Sequence, residues 1–357
     1  MSMKRTYYED IELFSSGTIL FWTIVLLIAL FGAPIFLSGY HIYLFSIIMV
    51  HVIVAVGLNI LVGNTGQIAL GHAGFFAIGA YGTVLLMTML NFPFFAALIA
   101  AAFIAAFFGF ILGLPALRLE GPYLAIATLA FGLAIMHIIG HTQVFGGRQG
   151  VAAPMLDIGI PQLGLSWMLF SETSLYYLIL IITIIMVLLA VNILKTRAGR
   201  AFVAIRDSEI AAEVIGINQT FYKTLAFAVS AFYAGIAGGL FAFVLGFFDP
   251  FTFNLILSVI FLVMVVVGGL GSVMGSVTGA VLITYLMYDL FKNINEVPVL
   301  GNLILHVSRN WLSAAGSMDN FNMIALGLVM IGIIIFEPLG IFGVWIRIKK
   351  YWKTWPF

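Results

Sequence analysis

One stretch of the sequence concentrates polar side chains in otherwise apolar surroundings. Residues 57–74 hold five glycines and five polar side chains, within a run that carries no charged residue between Glu12 and Arg118. An unsatisfied polar group in hydrocarbon is costly, so broken helix survives at membrane depth only where protein or a wet cavity surrounds it. We therefore expect these side chains to face a bundle interior, where they either border a substrate path or cap a tight inner turn and bond neighbouring helices. They are Asn59, Asn64, Thr65, Gln67 and His72.

A second glycine-interrupted segment follows late in the chain, at residues 268–279. Paired segments of this kind point to internal repeats in transporters, and each of these two follows a span that is predicted to run inward. Small residues also allow helices to pack closely. Close packing is the role we expect for Gly235, Gly238 and Gly239.

The segment from Gly199 to Ile217 predicts a short amphipathic helix on the membrane surface. Arg206, Glu209 and Glu213 have the spacing of one polar face, and Gly216 is a predicted helix stop. Such a helix would either rest on lipid or dock a soluble partner. Its predicted apolar stripe consists of Phe202, Ile205, Ile210, Val214 and Ile217.

The remaining patterns exclude several kinds of chemistry. His137 and His141 could share one helix face, as zinc ligands do, but no carboxylate has matching spacing, so interfacial histidines are expected. The dipeptide Gly-Lys never occurs, which excludes a P-loop, and neither His-Glu-x-x-His nor Gly-x-Ser-x-Gly is present. The chain also lacks cysteine. We predict no catalytic residue, no metal site and no cofactor.

Composition indicates that the elements holding these residues are membrane helices. Hydrophobic residues make up 63% of the 357 residues and charged ones only 8%, against about a quarter charged in soluble domains. The long runs are apolar at every position, which favours helices over barrel strands, whose polarity alternates. We predict an all-α integral membrane protein, with one transmembrane domain over residues 1–357. The ten predicted spans are 19–37, 41–62, 72–90, 92–117, 122–139, 174–194, 222–246, 255–270, 276–291 and 320–336.

Positive charges give the orientation. Ten crossings put both termini on one side, and the positive-inside rule selects the cytoplasm, because twelve of the fifteen Lys and Arg residues then lie inside. Residues 195–220 form the main predicted inner loop. Residues 140–172 and 292–319 form long outer loops, the second with an amphipathic interfacial helix. The predicted inner-surface anchor near the C-terminus consists of Trp345, Tyr351, Trp352 and Trp355.

Four segments in this order resemble the LivM-type permease subunits of branched-chain amino-acid ABC importers. The resemblance extends from about residue 40 to residue 343. The segments are 57–79, 121–129, 199–207 and 337–343.

The resemblance implies a ten-span importer permease in the bacterial plasma (inner) membrane, surrounded by lipid and without a nucleic-acid partner. It also implies a second, LivH-like permease, two cytoplasmic ATPase subunits and an extracytoplasmic substrate-binding protein. Residues 199–216 would then couple to the ATPase, although the Glu-Ala-Ala-x-x-x-Gly pattern of many importers begins here with Ile210. The coupling candidates are Arg200, Arg206, Asp207, Glu209, Glu213 and Gly216.

Two other functions stay open on the residues alone. The same architecture could carry urea or short amides in place of branched-chain amino acids. Alternatively, the chain could be a self-sufficient secondary carrier or channel. The lack of an acidic residue deep in any predicted span argues against proton coupling. A membrane-embedded enzyme ranks third, since no catalytic constellation supports it.

Overall fold

The computed structural model describes residues 17–116, 119, 121–156, 171–290, 327–328, 331–332, 335, 337 and 340–354. Nearly all of this part of the chain is helical. Its apolar helices are α1 Gly17–Phe36, α2 Gly39–Thr65, α3 His72–Leu90, α4 Phe94–Ala116, α5 Pro122–His141, α6 Glu172–Lys195, α9 Gln219–Leu245, α10 Leu255–Gly268 and α11 Val273–Tyr285.

Shorter and more polar elements connect or follow these helices. Helices α7 and α8 lie between α6 and α9, and α12 is the last described helix. Two-residue strands pair in antiparallel fashion, with Val151 opposite Phe248. The bounds are α7 Arg197–Asp207, α8 Glu209–Val214, α12 Gly340–Thr354, β1 Val151–Ala152 and β2 Phe247–Phe248, with 3-10 turns at Gln143–Phe145, Gly147–Gln149 and Pro250–Phe253 and a π-helical turn at Leu286–Leu290.

Helix α9 lies at the centre of the bundle, because it packs against α2, α3 and α4. Glycines allow this close approach. A Cβ atom at Gly238 would overlap the carbonyl oxygen of Phe76, and one at Gly235 would press on the backbone of Ala102. Gly239 likewise has no room for a side chain beside Thr83. The prediction that these three glycines serve helix packing is therefore confirmed.

Nine of the ten predicted spans coincide with helices in the described ranges, with ends that differ by a few residues. In this part of the chain, α2 to α6 and α9 are each long and apolar enough to cross a membrane, and α1, α10 and α11 are shorter apolar helices. The tenth predicted span, 320–336, lies largely outside the described residues. The predicted interfacial helix within 292–319 and the anchor residue Trp355 lie wholly outside them.

Helices α3 and α10 both begin inside the bundle. The Nε2 atom of His72 lies 2.7 Å from Oγ of Ser230, which is about 17 Å along α9 from its first residue at 1.5 Å per residue. The N–H of Ala73 donates to Oγ of Ser258, so the first turn of α10 lies beside that of α3. Residues 66–71 are therefore an irregular stretch that runs back from the end of α2 into the bundle. That the polar side chains of residues 57–74 border a substrate path stays a prediction.

Candidate functional site

All five polar side chains of the glycine-rich stretch are buried. The most accessible of them, Gln67, is only 6% exposed. Asn59, Asn64 and Thr65 lie on α2, Gln67 lies in the irregular stretch, and His72 begins α3. Four of the five side chains form at least one hydrogen bond: Asn64 and Thr65 bond carbonyl oxygens of α2 itself, and Asn59 and His72 bond groups outside their own helices. Asn59 Nδ2 and His72 Nδ1 are buried without a partner within the described residues.

Side chains close the last turns of α2. The amide nitrogen of Asn64 donates to the carbonyl oxygen of Asn59 at 3.2 Å. The hydroxyl of Thr65 donates to the carbonyl oxygen of Leu61. Gly66 ends the helix in the left-handed region, with φ at 74°, which favours glycine because it has no Cβ.

The two glycine-interrupted segments meet at one point, which we name the junction cluster: Asn59, Gly63, Arg206 and Gly271. The side-chain oxygen of Asn59 accepts from the N–H of Gly271 at 2.8 Å. Arg206 donates through Nη1 to the carbonyl oxygen of Gly63 at 2.9 Å. A Cβ atom at Gly63 would overlap both Asn59 and Gly271. The cluster therefore connects α7 to the ends of two helices in the bundle.

Gln67 differs from the other four polar residues. Both polar atoms of its carboxamide are buried and have no hydrogen-bond partner within the described residues. The residue lines a cavity of about 420 Å³, the basal cavity, whose wall combines the irregular stretch, the start of α5 and helices α8 and α9. The lining residues are Thr65, Gly66, Gln67, Ile68, Leu119, Gly121, Leu124, Ser208, Glu209, Ile210 and Lys223.

A buried lysine on α9 forms an ion pair with α8. Lys223 is only 7% exposed, and its Nζ lies 2.6 Å from Oε1 of Glu209, a side chain that is about half exposed. Gln219 also donates to the backbone oxygen of Glu209 at 2.7 Å. Since Glu209 is the first residue of α8, these contacts fix the beginning of that helix to α9.

The prediction of one amphipathic helix across residues 199–217 is wrong. The segment breaks at Ser208, whose hydroxyl accepts from the N–H of Ala211 and so caps α8 as a new helix. Phe202 on α7 is buried, whereas Ile210 and Val214 on α8 are 78% and 81% exposed. The predicted apolar stripe is therefore divided between two helices.

The same break divides the predicted polar face. Arg206 lies on α7, while Glu209 and Glu213 lie on α8, so the three residues do not share one helix. Arg206 also pairs with Asp207, Nη2 to Oδ1, at 3.0 Å. The predicted face is not continuous, because Ser208 caps a second helix and the first helix ends before it.

The other coupling candidates lie at the surface or end a helix. Arg200 is exposed and donates to the carbonyl oxygen of Lys195 at 3.0 Å. Glu213 is exposed and accepts weakly from Gln219 at 3.4 Å. Gly216 has φ at 85°, and the N–H of Ile217 donates to Ala212 across it. The predicted helix stop at Gly216 is confirmed.

The histidine pair on α5 is exposed near the end of that helix. The imidazole rings of His137 and His141 lie 4.0 Å apart between centroids. Nδ1 of His141 hydrogen-bonds to the backbone oxygen of His137. Across the residues with described positions, no group of three or more metal-binding side chains is found.

Sequence reasoning missed an aromatic cluster beyond the far end of α9. This aromatic cluster consists of Tyr81, Phe145, Phe248 and Phe253. The ring of Tyr81 lies 4.9 Å from that of Phe248 and 5.8 Å from that of Phe253. The Tyr81 hydroxyl is buried and has no partner among the described residues. Aromatic residues are so frequent in this chain that no local signal distinguishes these four.

Two buried polar residues were also missed as site residues. Lys223 was counted only as an inner positive charge, although a lone cation at the start of an apolar run is itself a signal. His51 lies in the middle of α2, where its Nδ1 is 2.9 Å from Oγ1 of Thr284 and its ring faces those of Phe241 and Phe261. Because ionisable residues are rare inside membrane spans, a histidine within a predicted span was a signal that could have marked His51 as a candidate site residue.

Comparisons with known proteins identify the relatives of this chain. A family model described as "Branched-chain amino acid transport system / permease component" matches residues 40–334. The high-affinity branched-chain amino acid transport system permease protein LivM of Escherichia coli (strain K12) is 33% identical over 302 residues, which cover 78% of this chain and 69% of that protein. No solved structure gives a significant match.

Two further relatives are more distant. The high-affinity branched-chain amino acid transport system permease protein LivH of Salmonella typhimurium is 25% identical over 305 residues, or 82% of this chain and 91% of that protein. The autoinducer 2 import system permease protein LsrC of Yersinia enterocolitica is 27% identical over 199 residues, or 54% of this chain and 47% of that protein.

Long apolar helices around a buried polar break define the chain as a multi-pass membrane protein. Within that class, the chain belongs to the family of branched-chain amino acid transport system permease components. It is therefore a permease subunit of the ABC importer type and not an enzyme. The resemblance of the four sequence segments to LivM-type permeases is confirmed, and the matched range includes three of them in full.

Proposed function

We propose that this subunit forms half of the path by which an ABC importer moves branched-chain amino acids, while partner subunits hydrolyse ATP. We infer this cargo because the LivM and LivH relatives are named as permease proteins of branched-chain amino acid transport systems. A path with apolar walls and a few neutral polar groups suits leucine-like side chains. Gln67 is the residue of the break that we expect to meet the cargo, because both the oxygen and the nitrogen of its carboxamide are without a partner within the described part of the chain.

The observation that carries the proposal is the exposed apolar surface of α8. Ile210, Val214 and Ile215 are 78%, 81% and 71% exposed. The same helix begins at Glu209, which pairs with Lys223 on the central helix. A soluble ATPase that buries the apolar side chains of α8 would therefore pull directly on α9.

A second connection leads from the neighbouring helix to the glycine breaks. Arg206 on α7 donates to Gly63, and Asn59 holds Gly271. Movement of the α7–α8 segment would thus reach both the end of α2 and the connection between α10 and α11. Helix breaks at which backbone bonds are exchanged are typical hinge positions.

The assembly that we infer contains a second, LivH-like permease, two ATPase subunits and an extracytoplasmic binding protein. The α7–α8 segment faces the cytoplasm, as do both termini. This orientation rests on the distribution of Lys and Arg in the sequence. It places residues 140–156 outside, where the binding protein would deliver the cargo.

A gentle purification from native membranes tests the assembly. The tagged chain is expected to recover a second permease and P-loop ATPases, and the reconstituted complex is expected to accumulate leucine only with ATP. Transport of urea or acetamide without leucine would replace the cargo. A chain that transports alone would be a secondary carrier, and the ABC proposal would fail.

A matched pair of variants tests the docking surface. Val214→Glu places a charge on the exposed face of α8 and is expected to lower the recovery of ATPase without lowering the amount of chain in the membrane. Val144→Glu is the control, because Val144 is also exposed, at 54%, but lies beyond α5 on the other side of the bundle. Equal recovery of ATPase with both variants would contradict the coupling role of α8.

A further inference from the structure

The basal cavity brings together three kinds of side chain that rarely share one wall. It contains both members of the Lys223–Glu209 ion pair and the carboxamide residue Gln67. Apolar side chains, among them Ile68 and Leu119, complete the wall. Its volume of about 420 Å³ lies in the range of sites that hold small molecules.

Gln67 is the polar residue of this wall that the fold leaves unexplained. Almost all buried polar groups in native proteins have a hydrogen-bond partner, so an exception calls for a functional reason. Both the oxygen and the nitrogen of its carboxamide lack one within the described residues. A primary amide offers one acceptor and two N–H donors, which can meet a carboxylate and an ammonium group together.

The ion pair supplies the two charges that a zwitterion needs. Lys223 is a buried cation, and its counter-charge within the described residues is Glu209, at 2.6 Å. A ligand with only a positive charge would leave the buried Lys223 without a counter-charge, which is costly, and a ligand with only a negative charge would leave Glu209 unpaired. A ligand that is both anion and cation can insert between the two and leave every charge paired.

We propose that the basal cavity binds a small zwitterion with an aliphatic side chain, the cargo amino acid on its way to release. The ligand carboxylate binds Lys223, and its ammonium group binds Glu209. Gln67 turns about its side-chain torsions to hydrogen-bond the same polar end. The aliphatic side chain lies against Ile68 and Leu119. This inference rests on the proposed function, since it takes the cargo to be an amino acid.

Ligand binding in the basal cavity is expected to weaken a contact between α8 and α9. Glu209 begins α8, and its pair with Lys223 is one of the contacts that fix α8 to α9. A ligand that separates the pair loosens this contact. Cargo binding at the basal cavity and the position of α8 are therefore linked, and such linkage acts in both directions.

Protection of a single thiol tests the site directly. The chain contains no cysteine, so Ile68→Cys gives this subunit one thiol in the cavity wall. The permease–ATPase complex, without its binding protein, is placed in lipid nanodiscs and labelled with a maleimide. L-leucine at ten times its Kd is expected to slow labelling about ten-fold, because 1 + [L]/Kd sets the fraction of free sites. Val144→Cys, exposed but outside the cavity wall and away from the proposed ATPase-docking surface, is the control and should label at an unchanged rate.

Ligand and protein variants then test the recognition chemistry. Leucinol lacks the carboxylate and 4-methylpentanoate lacks the ammonium group, so neither should protect at concentrations at which leucine does. In the Ile68→Cys background, Gln67→Leu and Glu209→Gln should remove the protection, whereas Gln149→Leu, at an exposed position far from the cavity, should keep it. Glu209→Gln keeps the test valid if Gln67→Leu does not fold, because Glu209 is half exposed.

Transport by the same complex separates the possible failures. Leucine transport without protection of Ile68→Cys would overturn the site and leave the proposed function intact. Equal protection by leucinol or 4-methylpentanoate would overturn the zwitterion assignment. Transport of urea in place of leucine would overturn the proposed function, and the amino-acid site with it.

Discussion

The junction cluster and the aromatic cluster lie toward opposite ends of α9 and are held together by different forces. The junction cluster consists of directed hydrogen bonds from Asn59 and Arg206 to backbone groups at two helix breaks. The aromatic cluster consists of packed rings around Tyr81, with centroids 4.9 to 6.0 Å apart. The junction cluster depends on the orientation of its hydrogen bonds, whereas the aromatic cluster depends on rings that fill the available volume.

This difference assigns the two regions different roles. Closely packed rings leave little free volume, so they resist small movements and suit a permanent closure. Hydrogen bonds to backbone groups at a helix break can be exchanged when a helix shifts. We therefore expect changes in the aromatic cluster to alter stability and changes in the junction cluster to alter transport.

The largest effect is expected from truncation in the aromatic cluster. Phe248 is 1% exposed and packs on Tyr81. Phe248→Ala should lower the free energy of unfolding by about 3–5 kcal/mol, since a cavity remains where the ring was. Denaturant unfolding of the purified chain measures the change. Phe251→Ala is the control, because Phe251 is 58% exposed in the 3-10 turn that follows β2, and an equal loss there would contradict the packing role.

A smaller effect, of a different kind, is expected from the junction cluster. Arg206→Met removes the bond to Gly63 and should lower ATP-driven transport about 5- to 150-fold, the range of typical coupling free energies. The unfolding midpoint should stay near that of the wild type, because the methylene groups that Met keeps still pack. The ratio of transport to ATP hydrolysis in proteoliposomes measures the coupling.

Arg200→Met is the matched control for this prediction. Arg200 also lies on α7 and bonds a single backbone oxygen, but it is exposed and remote from the breaks. Transport by this variant should stay near the wild-type rate. Equal losses in the two variants would mean that the positive charge of α7 matters and the contact with Gly63 does not.

Much of the fold can be predicted from local sequence, because few backbone structures other than helices satisfy their hydrogen bonds in lipid. Apolar runs predict nine of the helices in the described part of the chain, and the polar stretch at 57–74 must turn inward since hydrocarbon cannot satisfy it. The stop at Gly216 was also predictable, because a left-handed cap favours glycine. These features depend on residues that are close in sequence.

The rest depends on partners that are distant in the chain. Ser208 begins a new helix, and no periodicity rule distinguishes a serine cap from a serine inside a helix. The start of α3 halfway along α9 requires Ser230, which is 158 residues from His72. The pairing of Lys223 with Glu209 could not be predicted either. Hydropathy predicts that a span exists, but it does not predict how deep the span lies or which elements pack against it.

The smallest effect is expected at the Tyr81 hydroxyl, and it tests the comparison most closely. That oxygen is buried without a partner in the described structure, so Tyr81→Phe removes an unsatisfied group and keeps the ring. The free energy of unfolding should change by no more than about 1 kcal/mol, in the stabilising direction, and leucine transport should be unchanged. A large loss of transport in a stable Tyr81→Phe protein would show that the hydroxyl acts on the cargo. The aromatic cluster would then be part of the path and not a permanent closure.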